Sequence, residues 1–465
     1  MTDIITRFAP SPTGNLHIGS ARTALINFIN KSKNKNSKFF LRIEDTDKER
    51  STKEYKNNIF EGLKWLGINW DNEAQIQSQN INRHLAIAHK LLNIKKAYKC
   101  ICSENELSER RKKINTGQIT SKKICISCEK NTEVQILKNN YVLRIKIPTD
   151  GNEKLEDVVQ GNIEVKKSEI DDYVLVRRDG TPTYMLSVVV DDHDLGVNFI
   201  IRGDDHLNNY FRQKFIYEYM NWKIPKYAHI PLIHGEDGSK LSKRHGAVNL
   251  IDLKKQGYLP NAIINNLILL GWSPKDQNDE IIELGNIIEK FNIKDLSNSA
   301  SIFSFKKLDY FNNYYLRQEK NLGLFINFCY ENLHLKKYIE NDKKKLIRIF
   351  NIYKKDIAKY EEMVSIAEIY FNINFETSKN VKFQEEFNNC FKNFLKLINS
   401  IKNWEYEIIN SEIKVFLEKH NMRFPVFGKP IRYLLTNSYN GPSITDIFMI
   451  LGKENSIRRL NKYKF

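Results

Sequence analysis

Arg7-Phe8-Ala9-Pro10-Ser11-Pro12-Thr13-Gly14-Asn15-Leu16-His17-Ile18-Gly19-Ser20 is the stretch on which the fold turns. Residues 4–9 predict a short apolar strand, and Pro10-Ser11-Pro12-Thr13-Gly14 forbids regular structure for one loop. Asn15 is placed to cap the helix that follows, whose apolar positions Ala21, Leu25 and Phe28 recur at helical spacing. Lys38-Phe39-Phe40-Leu41-Arg42-Ile43 predicts a second strand, ending in Glu44-Asp45-Thr46-Asp47. Ile59, Leu63 and Leu66 then predict a helix closing near Gly67. Strand, helix, strand, helix opens a nucleotide-binding α/β sheet, in which ligands sit at the C-terminal ends of the strands. The first helix offers unpaired N–H groups and the positive end of its dipole to a phosphate. His17 adds a side-chain donor, and Gly19 keeps the backbone open to a nucleotide. His-x-Gly alone would be a capped turn; the Ala-Pro-Ser-Pro-Thr-Gly ahead of it favours the phosphate site.

The complement lies roughly 220 residues further on, in Asp237-Gly238-Ser239-Lys240-Leu241-Ser242-Lys243-Arg244-His245-Gly246. Two lysines and an arginine between glycines predict a mobile cationic loop. Such a loop closes over a triphosphate and stabilises charge on departing pyrophosphate. Alone, a charge run is a solvated loop. Two half-sites in one chain point to ATP.

At 465 residues the chain exceeds one hydrophobic core and predicts two to four domains. No apolar run approaches the roughly 18 residues of a membrane span, Leu186 to Val190 reading as a short strand. The N-terminus has no basic segment followed by a long apolar one, so a cytoplasmic enzyme without a membrane partner is expected. The net charge of +17 points to an acidic partner, nucleic acid foremost, although an abundance of Lys, Asn and Ile gives part of it a compositional origin. Residues 321–465 hold 24 basic and 16 acidic side chains, which favours a C-terminal nucleic-acid surface. Cys100, Cys102, Cys125 and Cys128 cluster in one stretch and read as a zinc site before they read as disulfides. Cys329 and Cys390 stand alone and read as small buried side chains.

The texture changes from residue 84. A helix around Leu85 to Leu92 leads to the cysteines, then to β-like segments at 141–147 and 171–176 and a turn at 177–182. This reads as a domain inserted into the α/β core, which returns with residues 184–190 and 199–202. From about 250 onward Pro and Gly thin out and helical periodicity dominates.

The two ATP motifs resemble the paired motifs of class I aminoacyl-tRNA synthetases. Around them the chain is similar to the glutamyl branch over essentially its whole length. The matching stretches are Arg7 to Gly14, Leu41 to Asp47, Pro182-Thr183-Tyr184, Val190 to His193, Ile201 to His206, and Lys240 to Gly246. Ser20 stands where the first motif often ends in His, so it is not counted as catalytic. The resemblance implies that His17, Gly19, Lys240 and Lys243 are catalytic. It places Thr13, His17, Gly19, Asp205, Ile233 and Lys243 against ATP, accompanied by Mg²⁺. It assigns Arg7 and Arg202 to glutamate carboxylates, Glu44 to the α-ammonium, and Ala9, Ser11 and Tyr184 to the pocket wall. Taken singly, Arg202 could pair with Asp204 or Asp205, and Glu44 with Arg42. The four cysteines match a structural Zn²⁺ site that some members carry, with Cys128 displaced by one residue from the usual spacing.

The implied architecture is a Rossmann-type catalytic domain (1–83 and 184–225) interrupted by an acceptor-stem-binding insertion (84–183). A stem-contact domain (226–320) and an all-α anticodon-binding region (321–465) follow, the latter carrying Lys429 to Leu435 and Gly441-Pro442-Ser443. Tyr353, Phe371 and Trp404 lie among its lysines and could stack on unpaired bases, but helical spacing favours the core. The implied partners are L-glutamate and tRNA(Glu), and the family is typically monomeric. Enzymes charging tRNA(Gln) with glutamate share every motif quoted. A non-catalytic tRNA-binding paralogue is disfavoured by the intact His17, Lys243, Arg7, Glu44 and Arg202.

Overall fold

The strand Ile5–Phe8 pairs in parallel with Lys38–Ile43, which pairs in parallel with Gln75–Ile76. The computed structural model describes residues 3–47, 49–119, 122–125, 127–239, 241, 249–275, 280–331, 336, 339–340, 342–372, 374–376 and 381–463, except 131–139. A second sheet orders Gly161–Lys166, Asn152–Asp157, Lys226–Ile230 and Phe199–Gly203, the last two running parallel. Asn198 locks this sheet to the first: its N–H donates to Ile5 O at 3.0 Å, and its side-chain oxygen accepts the Ile5 N–H at 2.9 Å. The parallel strands are buried almost throughout, as sheets covered on both faces must be. Helix Ile18–Ser32 seals one face with Ile18, Ala21, Ala24, Leu25 and Ile29, all fully buried. A three-stranded antiparallel sheet, Ala97–Cys100, Val142–Ile145 and Val174–Val176, carries Cys100 at the end of its first strand.

Two expectations are corrected. The first helix is capped by His17, whose Nδ1 accepts the Ser20 N–H at 3.3 Å; Asn15 stands exposed two residues earlier. The chain cannot turn helical sooner, because Leu16 N–H is held by Asn58 Oδ1 at 2.9 Å and Leu16 O accepts Leu250 N–H at 3.0 Å. Leu186 to Val190 is not a strand but the middle of helix Tyr184–Asp194. Residues 186–192 are all buried, so the apolar run lacks the period that separates a helix from a strand.

The chain folds as two units, residues 1–254 with 260–308, and 255–259 with 309–465. The second unit is helical: Leu322–Glu331, Lys343–Tyr353, Tyr360–Phe371, Glu385–Ser400, Tyr406–Lys419, Phe424–Thr436 and Ile444–Leu460. Its core is rich in phenylalanine, with Phe387, Phe391, Phe394, Phe427 and Phe448 fully buried. The aromatics considered for base stacking are engaged here. Phe371 is buried, Tyr353 and Tyr370 share a 2.6 Å hydrogen bond, and Trp404 Nε1 donates to Phe448 O at 3.2 Å. Cys329 is buried and Cys390 half-buried. No helix among the described residues is long and apolar enough to cross a membrane.

Candidate active site

The C-terminal ends of Ile5–Phe8, Lys38–Ile43 and Phe199–Gly203 open into a cleft of about 1080 Å³. It is lined by Arg7, Ala9, Ser11, Thr13, His17, Gly19, Glu44, Tyr184, Arg202, Asp205 and Ile233, every residue assigned to ATP or glutamate outside the cationic loop. Of that loop, Leu241 also lines the cleft; Lys240, Lys243 and the rest of 242–248 lie outside the described residues.

The N-terminus of helix Ile18–Ser32 faces the cleft through His17, Gly19 and Ser20. His17 Nε2 lies 3.1 Å from Ser20 Oγ. A Cβ on Gly19 would stand 3.2 Å from His17 Nδ1, so glycine leaves the imidazole room beside its own helix. Arg22, one turn on, is buried and donates to Pro231 O at 2.7 Å and Leu270 O at 2.5 Å. It thus ties the helix to the segment leading into the cationic loop. Burial pushes its guanidinium down to about 10, with Asp204 working against that.

A buried ion cluster underlies the opposite end. Arg7 Nε lies 3.0 and 3.1 Å from the two oxygens of Asp192, and Arg42 Nη1 donates to Asp192 Oδ1 at 2.7 Å. Arg42 Nη2 reaches Glu44 Oε1 at 3.2 Å, and Arg42 Nε lies 3.8 Å from Asp191. Asp191 is held in turn by His84, Gln77 and Asn80 at 2.7, 2.8 and 2.7 Å. Burial raises the Glu44 carboxyl, and Arg42 and then Arg7 oppose that rise. Glu44, Asp191 and Asp192 thus meet the guanidiniums of Arg7 and Arg42 in this wall, with His84 as a further partner of Asp191. Only the Nε of Arg7 has a protein partner among the described residues, so its terminal nitrogens are available to a carboxylate.

Arg202 stands across the cleft and pairs with neither Asp204 nor Asp205. It donates to His229 Nε2 at 3.0 Å, Gln213 Oε1 at 2.8 Å and His206 O at 3.1 Å. Tyr184 Oη lies 3.3 Å from His206 Nδ1. His206 is neutral near pH 7, burial and then Arg202 pushing it down to about 4.

The cysteines form a separate cluster. Cys100 ends a strand, and Cys125 is pinned by Asp172, which accepts the N–H groups of Ile124 and Cys125 at 2.6 and 3.1 Å. The four sulfurs lie within 4.8 Å of one another, Cys102 being 3.4 Å from Cys125 and 3.6 Å from Cys128. A hydrogen bond from Cys125 holds the Cys100 thiol down to about 5, while burial pushes Cys102 up to about 11. Four thiols this close cannot all ionise unless a cation sits among them, and the spacing fits tetrahedral thiolate ligation. Arg178 Nη2 donates to Cys102 O at 2.6 Å, while the adjacent Arg177 lines the cleft.

Asp191, Asp192 and Arg22 carried no role in the sequence reading, and Arg42 entered it only as a structural partner for Glu44, a pairing present here at 3.2 Å. The available signal was an acidic pair closing an apolar run at Val188 to Asp192.

A cleft at the ends of a parallel sheet, lined by the His17-capped helix start and by Leu241, is the setting in which the chain matches the class I aminoacyl-tRNA synthetases. Residues 3–310 match the catalytic domain of the class I tRNA synthetases (E and Q), and residues 329–464 match an anticodon binding domain. The chain belongs to the class I tRNA synthetase family that joins the E and Q enzymes. It is 40% identical over 464 residues to glutamate–tRNA ligase 2 of Wolbachia pipientis subsp. Culex pipiens (strain wPip), covering 99% of each chain. It is 41% identical over 470 residues to glutamate–tRNA ligase 2 of Rickettsia typhi, covering 99% of this chain and 98% of that one. Among solved structures it is similar to a glutamate tRNA ligase from Elizabethkingia meningosepticum in complex with its amino acid. That match has a TM-score of 0.84 at 27% identity and covers 99% of each chain.

Proposed function

We propose that this protein is a glutamate–tRNA ligase. It activates L-glutamate with ATP and transfers the glutamyl group to the 3′ end of tRNA(Glu). The observation that carries the reading is the convergence of Arg7, Glu44, Tyr184, Arg202 and His17 on one cleft. Arg7 and Arg202 take the two carboxylates, the Glu44 wall takes the ammonium, and Ala9 and Ser11 line the pocket. The α-carboxylate attacks the α-phosphate of ATP in line and pyrophosphate leaves. His17, the helix N-terminus behind Gly19, and Thr13 hold phosphate, while Asp205 and Ile233 lie toward the adenosine. Lys240 and Lys243 stabilise the departing charge. Mg²⁺, bound with ATP, supplies further neutralisation of the phosphates.

The domain roles follow the same reading. Residues 1–83 and 184–225 activate glutamate, 84–183 receive the acceptor stem, 226–320 contact the stem and carry the cationic loop, and 321–465 read the anticodon. The protein acts as a cytoplasmic monomer. Cys100, Cys102, Cys125 and Cys128 hold a structural Zn²⁺ that fixes the inserted domain. Elemental analysis of the purified protein is expected to find about one zinc per chain; less than about half an equivalent would remove the site.

Aminoacylation with radiolabelled glutamate against separate tRNA(Glu) and tRNA(Gln) transcripts tests the function. Charging of tRNA(Glu) alone is the expected outcome. Charging of both defines a relaxed enzyme, charging of tRNA(Gln) alone a shifted one, and charging of neither defeats the reading.

A further inference from the structure

The buried arginines in and beneath the cleft differ in their partners: among the described residues Arg22 is held by two backbone carbonyls and, like Arg202, has no carboxylate within ion-pair distance. Arg7 and Arg42 are paired with Asp192, but no carboxylate lies within ion-pair distance of Arg202 among the described residues. Its three partners, an imidazole nitrogen, an amide oxygen and a backbone carbonyl, fix its direction without neutralising its charge. Its guanidinium lies over the Tyr227 ring, 5.3 Å from the centroid, and that ring stacks on His229 at 8°. Two of its five N–H groups remain for a ligand.

His229 can accept from Arg202 only if Nε2 carries no proton, because a guanidinium only donates. Asp157 enforces that tautomer. Its Oδ2 lies 2.7 Å from His229 Nδ1, and its carboxylate also accepts the N–H groups of His229, Val159 and Gln160 at 2.9–3.1 Å. Both side chains are fully buried. Burial works to raise the Asp157 carboxyl, yet the hydrogen bonds from His229 and Gln160 hold it low; burial also lowers His229, keeping it neutral.

We infer that Asp157 and His229 form a relay that positions Arg202 as an uncompensated cation, and that this relay sets the preference for a side-chain carboxylate over a carboxamide. The inference rests on the reading that Arg202 binds glutamate. The attacking α-carboxylate must stay nucleophilic, so a full unscreened cation is better spent on the side chain. A carboxamide would leave Arg202 buried without a counter-charge, which is costly. Asp157 and His229 touch no substrate; they are positioning residues.

The test is ATP–pyrophosphate exchange in the presence of tRNA, with glutamine as a competing inhibitor. His229→Leu is expected to raise the glutamate KM about tenfold to a hundredfold, the worth of a hydrogen bond to a charged group. The ATP KM and the glutamine inhibition constant should move by less than about threefold. His229→Gln, which keeps an acceptor near the Nε2 position, should recover part of the loss. Asp157→Asn, isosteric and suited to a folded chain, frees the imidazole to turn its proton toward Arg202 and should raise the glutamate KM as well. Circular dichroism melts of each variant separate misfolding from misorientation. A glutamate KM within twofold of the parent in folded Asp157→Asn and His229→Gln, while Arg202→Gln raises it, overturns the relay alone. An unchanged KM in Arg202→Gln overturns the reading of the glutamate site, and the relay with it.

Discussion

Replacement of Asp192 by alanine is expected to destabilise the catalytic unit by about 3–5 kcal/mol and to abolish glutamate activation. Asp192 accepts from Arg7 Nε and from Arg42 Nη1, and all three side chains are at least 96% buried. Its removal leaves Arg7 with no ion partner among the described residues, and Arg42 with Glu44 at 3.2 Å and Asp191 at 3.8 Å. A buried guanidinium without a counter-charge is far costlier than the pair was favourable, so the loss comes mainly from the stranded Arg7. The activity loss has a second cause. Arg7 is aimed by its Nε contact, and without Asp192 nothing among the described residues holds it toward the substrate. Thermal and urea denaturation followed by circular dichroism give the stability, and ATP–pyrophosphate exchange in the presence of tRNA gives the activity. An Asp192→Ala protein that melts with the parent and activates glutamate normally would refute the account. Asp192→Asn, which keeps the shape and one acceptor, should fall between the two.

Lys243→Ala is expected to lower the rate of ATP–pyrophosphate exchange in the presence of tRNA by about 10²–10³-fold while leaving the glutamate KM nearly unchanged. The reaction has no covalent step on the protein, so its rate rests on positioning and on neutralising charge as pyrophosphate departs. In Lys240-Leu241-Ser242-Lys243-Arg244 both lysines are assigned to that charge, with Lys243 the main single contributor. An interaction made only in the transition state appears in kcat and spares the ground-state affinity for the amino acid. Near-normal exchange would remove Lys243 from the catalytic assignment. A raised glutamate KM at unchanged kcat would move its role to substrate binding.

Much of the cleft was legible because its residues sit in local patterns. Arg7, Ala9, Ser11, Thr13, His17 and Gly19 come from one strand, loop and helix, and Glu44 directly follows the next strand. Tertiary contacts reversed two local readings. Asn15 has the chemistry of a cap, but the bonds of Leu16 to Asn58 and Leu250 delay the helix until His17 takes that place. Leu186 to Val190 looks like a strand because a helix buried on nearly every side has no polar face to mark its period.

The sequence by itself determined the class of chemistry and the amino acid assigned to it. The helix start at His17 and the lysine loop are each written within a few residues of chain, where spacing fixes geometry, while Arg7, Glu44 and Arg202 belong to three separate strands or strand ends and were joined by the family resemblance. Only the tertiary structure decided what holds those groups in place. Asp192 meets Arg7 across 185 residues, Asp157 meets His229 across 72, and Arg22 reaches Leu270 across 248. Such contacts leave no periodic trace, because a buried charge is settled by whichever partner the fold brings within hydrogen-bond distance, however far along the chain it lies.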